Sequence, residues 1–347
     1  MSKIITGIAS FGMSGSVFHA PFIDLHKDFE LHTIVERSKN LAKERYPKVN
    51  IVRSFDEMLA IPEIELIVVN TPDVTHFDYV KKSLEAGKHV VVEKPFVFTV
   101  AEGNKLIDLA KRRKRSIFVY HNRRWDSDFL TVQKTIREGL LGRVVEFHSA
   151  FQRYRPFVAP DTWKEQADNR VGLTYNLGTH LVDQAVQLFG MPQAVYADAD
   201  ILRDNGKVQD FVMIQLIYPL LKVFLRASFL VRLPMARFSV NGTLGSYIKY
   251  GNDPQEDLLK TGVKPAGENW GEENECDWGN LETEIDGKII CKKIPNEKGN
   301  YFAFYDEVFA SLRKGKEISL EAEKVLPVIR ILEACYESYE AKCVVAI

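Results

Sequence analysis

The sequence predicts an α/β protein with an N-terminal doubly wound parallel sheet over residues 1–121 and a C-terminal α/β domain, over 122–347, built on a large, open, mostly antiparallel sheet. Three observations predict it. Up to about residue 120, short β-rich runs alternate with helical patterns, the rhythm of parallel βαβ units. Beyond that point the runs lengthen and begin to alternate apolar with polar side chains. A glycine-bearing turn follows directly on the first run.

The first-domain strand candidates are 4–9, 31–35, 66–69, 89–92 and 117–120. Between them, Ser54 with Glu57 and Thr99 with Glu102 have capping-box spacing, and Gly87 stops the Phe77, Val80, Leu84 helical stripe. The later candidates are 144–151, 194–202, 211–218, 222–232 and 238–250. In 222–232, Val223, Leu225, Ala227, Phe229 and Val231 alternate with a mixed face carrying Arg226, Ser228 and Arg232, as in a sheet that helices cover on one side; the other face is left for a second subunit. Residues 252–300 read as an acidic, loop-like stretch, and helical patterns follow at 301–314 and 321–341, the last free to pack back on the N-terminal domain.

A chain of 347 residues with 46% hydrophobic residues buries a sizeable core, and a net charge of -1 makes no single-sign field. Nucleic acid and an anionic membrane surface are therefore poor partners, and a small molecule is the expected one. Cys276, Cys291, Cys335 and Cys343 lack zinc-ligand or C-x-x-C spacing, so neither a metal site nor a disulfide framework is expected. Lys111 to Arg115 is a run of cations suited to a solvated helix end. With no signal-peptide pattern and no stretch long enough to span a bilayer, the reading is cytoplasmic.

Ser10-Phe11-Gly12-Met13-Ser14-Gly15 follows the first strand as a dinucleotide fingerprint with serine in place of the first glycine. Gly12 would let the backbone approach a pyrophosphate, Gly15 would let the next helix pack closely, and Ser10 must avoid a positive φ. Glu36, at the end of the second strand, suits a ribose hydroxyl pair and NAD; Arg37 and Ser38 beside it suit a 2'-phosphate and NADP, with Glu36 turned aside. Both cofactors stay open. A ligand-free tight turn and a surface Glu–Arg pair would look similar.

Glu93-Lys94-Pro95 ends a Val-rich strand, where doubly wound sheets place their ligands, and Pro95 favours an extended backbone at Lys94. An ammonium there can hold a substrate hydroxyl and stabilise the charge that develops on it. Asn176, His180, Asp183 and Gln187 recur at steps of four, three and four on one helix face, so Asp183 can orient His180, a candidate general base. Asn122, Arg123 and Arg124, at the domain junction, are candidate hydroxyl-binding groups, and Tyr154, Trp163, Tyr175 and Asn176 are further candidates for shaping selectivity. A strand-end lysine, a satisfied core histidine and structural arginine salt bridges are the bland readings of the same residues.

Together these segments resemble the family of glucose-fructose oxidoreductase, inositol dehydrogenase and MocA proteins (Gfo/Idh/MocA) across essentially the whole chain. Gly12-Met13-Ser14-Gly15-Ser16-Val17-Phe18-His19, His121 to Trp125, Phe129-Leu130-Thr131 and Ile248-Lys249-Tyr250-Gly251 are most similar to its bacterial NADP-dependent scyllo-inositol dehydrogenases. The resemblance implies a Rossmann domain, a homodimer or homotetramer, and hydride transfer between NADP or NAD and a secondary alcohol of a sugar or cyclitol. It also implies that Lys94 and His180 act on the substrate, that Thr71, Pro72 and His76 flank the cofactor, and that Glu93 and Lys94 lie near the nicotinamide. Asn176 stands where the family's D-x-x-x-H motif has its aspartate, so either Asp183 supplies the compensating carboxylate or the proton path differs. The alternatives are a dinucleotide-sensing regulatory protein and a reductase of a non-sugar substrate.

Overall fold

The computed structural model describes residues 2–160, 162–165 and 172–347. One compact unit runs to Asn122 and also takes in Gln255–Trp270 and Tyr301–Leu326. Its sheet is wholly parallel: β1 (Ile4–Ile8), β2 (Phe29–Val35), β3 (Asn50–Val52), β4 (Leu66–Val69), β5 (His89–Val92) and β6 (Ile117–Val119), in the order β3-β2-β1-β4-β5-β6. Strand order reverses between β1 and β4, the switch point at which such sheets bind ligands beyond their carboxyl ends. The sequence reading has no counterpart for β3, which at three residues is too short to show a period.

β4 and β5 are apolar on both faces, and Leu66 to Val69 and Val90 to Val92 are fully buried. Each such side chain contributes about 1.5–3 kcal/mol by burial, which fixes the loops that leave these strands. The local signals act as read: Ser54 accepts from the Glu57 amide, Thr99 and Glu102 form a complete capping box on the helix Val100–Arg113, and Gly87 takes a left-handed φ of 74°.

The second unit comprises Arg123–Pro254, Gly271–Asn300 and Pro327–Ile347. Its nine strands are β7 (Val144–Gln152), β8 (Ala194–Asp200), β9 (Phe211–Tyr218), β10 (Leu221–Ser228), β11 (Phe238–Gly242), β12 (Gly245–Lys249), β13 (Gly279–Ile285), β14 (Lys288–Ile294) and β15 (Val345–Ala346). They are ordered β14-β13-β12-β11-β7-β10-β9-β8-β15, and every pair is antiparallel except β7 with β10. Val223, Leu225 and Ala227 of β10 and Val212, Ile214 and Leu216 of β9 are buried. The helix Thr179–Phe189 lies on the sheet after Gly178, whose Cβ position is 3.6 Å from Ile214 Cδ1.

Two expectations are corrected. Residues 238–250 form two strands, not one, because the chain reverses at Thr243 and Leu244 and pairs Asn241 with Ser246. Residues 252–300 are not merely loop: they hold a helix, Gln255–Lys260, and the β13–β14 hairpin. In β13 the buried Gly279, Leu281 and Thr283 alternate with exposed Asn280, Glu282 and Glu284, and these outward polar residues give the stretch its loop-like composition. Among the described residues no helix is long and apolar enough to cross a membrane.

Candidate active site

In the first unit the loop after β1 has the shape a dinucleotide needs. Ser10 is not in the left-handed region, and its hydroxyl accepts from the Gly12 amide at 3.3 Å, closing the turn that a first glycine would otherwise make. Gly12 is open: a Cβ there would meet only Ser10 Oγ, at 3.5 Å, so its bare backbone is left for close approach by a ligand. Gly15 is crowded: a Cβ would lie 2.1 Å from the Ser10 carbonyl oxygen and 2.7 Å from Asn70 Nδ2. Asn70, at the end of β4, donates to that carbonyl at 2.8 Å and so staples the β1 and β4 loops together at the switch point. Its own Oδ1 is buried and has no partner among the described residues. Phe11 meets the Tyr46 ring edge-on at 6.2 Å, and Met13 is exposed. These features fit a bound pyrophosphate.

Glu36 is turned aside. Its buried carboxylate accepts from the amides of Leu41 at 3.1 Å and Ala42 at 2.9 Å, capping the short helix Leu41–Arg45. Arg53 braces the same bend by donating to the carbonyls of Glu36 and Lys39. Arg37 and Ser38 are exposed beside it.

At the end of β5, Glu93 ties the strand end to the phosphate loop through its carboxylate, which accepts from the Ser14 hydroxyl, from His19 Nε2 at 3.1 Å and from the Lys94 amide at 3.3 Å. Burial raises the Glu93 pKa, but the His19 hydrogen bond and the coulombic pull of its ring, the Ser14 hydroxyl and the Lys94 ammonium outweigh it and bring the carboxyl to about 2. Lys94 is half-buried, and its peptide bond to Pro95 is cis. Thr71 Oγ1 lies 2.6 Å from Thr75 Oγ1, and Pro72 precedes the short turn Asp73–Thr75. His76 is wholly buried, with its ring nitrogens 2.7 Å from the Pro95 carbonyl and 3.0 Å from the Thr71 carbonyl. It braces the Thr71–Pro72 turn against the Lys94–Pro95 segment. Asn122, the last residue of this stretch, is buried.

In the second unit a wide π-type turn, Thr174–Gly178, opens the helix Thr179–Phe189. Such turns recur at functional sites. Asn176 sits in the wide turn, three residues before the start of the regular helix that carries the buried His180. Arg124 takes the Asp183 carboxylate in a fork, Nε to Oδ2 at 2.9 Å and Nη2 to Oδ1 at 2.6 Å, with both side chains buried. Arg123 donates to Asp126 at 3.2 Å and lies 5.0 Å from the Phe151 ring. Gln187, expected on the polar stripe, is exposed. Gln184 takes part instead, donating to the Arg123 carbonyl at 3.0 Å and accepting from the buried Arg237 at 2.7 Å. Burial lowers the Arg237 pKa to about 10 against the pull of Asp128 and Asp126. Tyr175 is fully buried and stacks on Tyr336 at 5.3 Å. Tyr154 is exposed with Arg232 over its ring at 3.7 Å, and Trp163 opens the turn Trp163–Glu165, which Arg203 holds through Glu165 at 2.9 Å.

Sequence reasoning missed Tyr305, Asn70, Gln184 and Arg237, and gave no role to His19, which it read only as the end of the loop segment; Tyr305 carries no local signal.

Comparison with known proteins places both domains in one family. Residues 4–121 match the model of the oxidoreductase family's NAD-binding Rossmann fold, and residues 133–347 match that of its C-terminal alpha/beta domain. The scyllo-inositol 2-dehydrogenase (NADP(+)) IolW of Bacillus subtilis is 36% identical over 342 residues, covering 99% of this chain and 95% of its own. The uncharacterized oxidoreductase YdgJ of Escherichia coli is 38% identical over 337 residues, covering 97% of this chain and 96% of its own. A Bacteroides fragilis crystal structure, provisionally named an oxidoreductase, superposes with a TM-score of 0.92 at 53% identity, covering 100% of both chains. The chain belongs to the Gfo/Idh/MocA family of NAD(P)-binding oxidoreductases.

Proposed function

We propose that the chain is a dehydrogenase that prefers NADP to NAD and oxidises a secondary alcohol of a sugar or cyclitol, with a scyllo-inositol-like ring as the leading substrate. The observation that carries this reading is the Glu93 carboxylate, which hydrogen-bonds both the Ser14 hydroxyl of the phosphate loop and the amide of Lys94. It makes the lysine-bearing segment part of the dinucleotide loop's own framework. When bound, NADP supplies a hydride acceptor. Lys94 holds the substrate hydroxyl and stabilises the negative charge that develops on its oxygen. His180 takes the hydroxyl proton. Asp183, engaged by Arg124, positions the helix that carries His180 and is not itself the base. Asn176 then offers an amide to a substrate hydroxyl where a carboxylate would otherwise sit.

The NADP preference rests on Glu36. Its carboxylate is committed to the Leu41 and Ala42 amides, which leaves Arg37 and Ser38 to receive a 2'-phosphate. The name of the Bacillus subtilis relative, which carries both NADP and scyllo-inositol, supports the same choice. The test is NADPH and NADH affinity by fluorescence, with NADP reduction followed across polyols, cyclitols and keto-sugars. NADPH should bind at least tenfold tighter than NADH, a margin that Arg37→Ala erases, and a cyclitol should be turned over. Equal affinity for the two dinucleotides in the wild type overturns the NADP preference, and tight dinucleotide binding with no turnover of any compound overturns the dehydrogenase reading.

A further inference from the structure

The first unit contains a line of buried and half-buried polar groups that starts on a helix remote in sequence from the phosphate loop and ends on that loop. Tyr305 lies on the helix Phe302–Lys314 and is fully buried, and its hydroxyl is 2.7 Å from His19 Nδ1. His19 is also fully buried, with Nε2 3.1 Å from Glu93 Oε1. Glu93 in turn accepts from Ser14 and from the Lys94 amide. The ring of His19 is walled by Tyr120 at 4.3 Å and by Tyr305, and the Tyr120 hydroxyl donates to the Phe18 carbonyl at 2.7 Å.

The direction of each bond follows from the partners. Among the described residues the Tyr305 hydroxyl has no polar partner but His19, and burial, with the Glu93 charge nearby, raises its pKa well above the usual tyrosine value, so it stays protonated. Its proton must therefore go to His19 Nδ1, because a buried hydroxyl proton left unpaired is costly. With Nδ1 accepting, the ring proton sits on Nε2, where it faces the carboxylate of Glu93. The opposite tautomer would turn a lone pair on that carboxylate. The tyrosine thus selects the only neutral form of the histidine that can hold the glutamate.

We infer that Tyr305 and His19 are positioning residues for the dinucleotide loop and for Lys94: the Tyr305 hydroxyl locks the His19 tautomer, His19 locks the Glu93 carboxylate, and Glu93 sets Ser14 and the Lys94 backbone together. This deepens the proposed function and rests on it. Neither residue touches cofactor or substrate in this scheme. A purely space-filling role for the two rings would be served as well by phenylalanine at 305, since the ring contacts with Phe29, Tyr120 and Phe304 do not need the hydroxyl.

The experiment compares wild type, Tyr305→Phe, His19→Gln and the double variant by the ring-nitrogen 15N shifts of His19, where present, and by NADPH affinity. The wild type should show Nε2 protonated and Nδ1 accepting. Tyr305→Phe should lose that single-tautomer signature and weaken NADPH binding about tenfold while unfolding cooperatively. His19→Gln, whose amide can donate to Glu93 without a tautomer to choose, should bind NADPH near the wild-type level, and adding Tyr305→Phe to it should change nothing further. Unchanged His19 shifts in Tyr305→Phe overturn the inference, as does an equal weakening by Tyr305→Phe in the wild-type and His19→Gln backgrounds. If the wild type binds neither NADPH nor NADH, the functional reading fails instead, and the His19 shifts still decide the tautomer lock.

Discussion

Glu93 shows what a single side chain can hold in place. A carboxylate in so enclosed a site is stable as an anion only because donors surround it, and its pKa of about 2 against an ordinary 4.5 is a statement about folding. The shift is downward, so its stabilisation is present in full above about pH 5 and is lost as pH falls towards 2. By linkage it amounts to about 3 kcal/mol. Urea unfolding followed between pH 5 and pH 2 should therefore show the wild type losing about 3 kcal/mol more than Glu93→Gln; parallel losses would mean that the carboxylate is not specially held. The motif that contains Glu93 and Lys94 was legible in the sequence because it is contiguous and ends a buried strand. The donors that fix it were not: Tyr305 lies 286 residues from His19, and no spacing rule links them. Glu36 was legible only as a choice between two roles, since its hydrogen bonds to the Leu41 and Ala42 amides depend on the path of a bend.

At the scale of elements, the helix Thr179–Phe189 is the instructive case. Its periodicity correctly marks an apolar stripe, yet the polar stripe drawn from regular helical spacing runs through the wide turn Thr174–Gly178, where that spacing does not apply. The structure anchors the helix differently, through the Arg124 fork on Asp183 and through Gln184 between Arg123 and Arg237. Removing Arg124 takes the bidentate cationic partner from a buried carboxylate. Arg124→Ala should therefore cost about 3–5 kcal/mol in chemical denaturation. Replacing Asp183 by Asn in that background should recover part of the loss, and an Arg124→Ala protein as stable as wild type would mean that the pair does not hold the helix. The β13–β14 hairpin went unread for a different reason. Its turn, Asp286-Gly287, has both residues at positive φ and joins Ile285 to the directly paired Lys288, which is the two-residue hairpin geometry that Asp-Gly favours. The signal was present, but the polar outward face of β13 and the largely exposed β14, with lysines on both its faces, left no clear alternation to read.

For the whole molecule, the two fold types follow from patterns that are dense and local: uninterrupted apolar strands between helices in the first unit, alternating strands in the second. The family assignment follows from the same segments read together, and matches to both domain models cover nearly the entire chain. The central claim is chemical, namely that Lys94 and His180 act on one substrate hydroxyl while the dinucleotide is held by other residues. Its most direct test is the rate of NADP reduction with scyllo-inositol by wild type, Lys94→Ala and His180→Ala, with NADPH affinity measured in parallel. The account predicts turnover by the wild type, a loss of about 10²–10⁴ in kcat for each variant, and NADPH binding within a few-fold of wild type for both. A Lys94→Ala or His180→Ala enzyme that keeps the wild-type rate would contradict it.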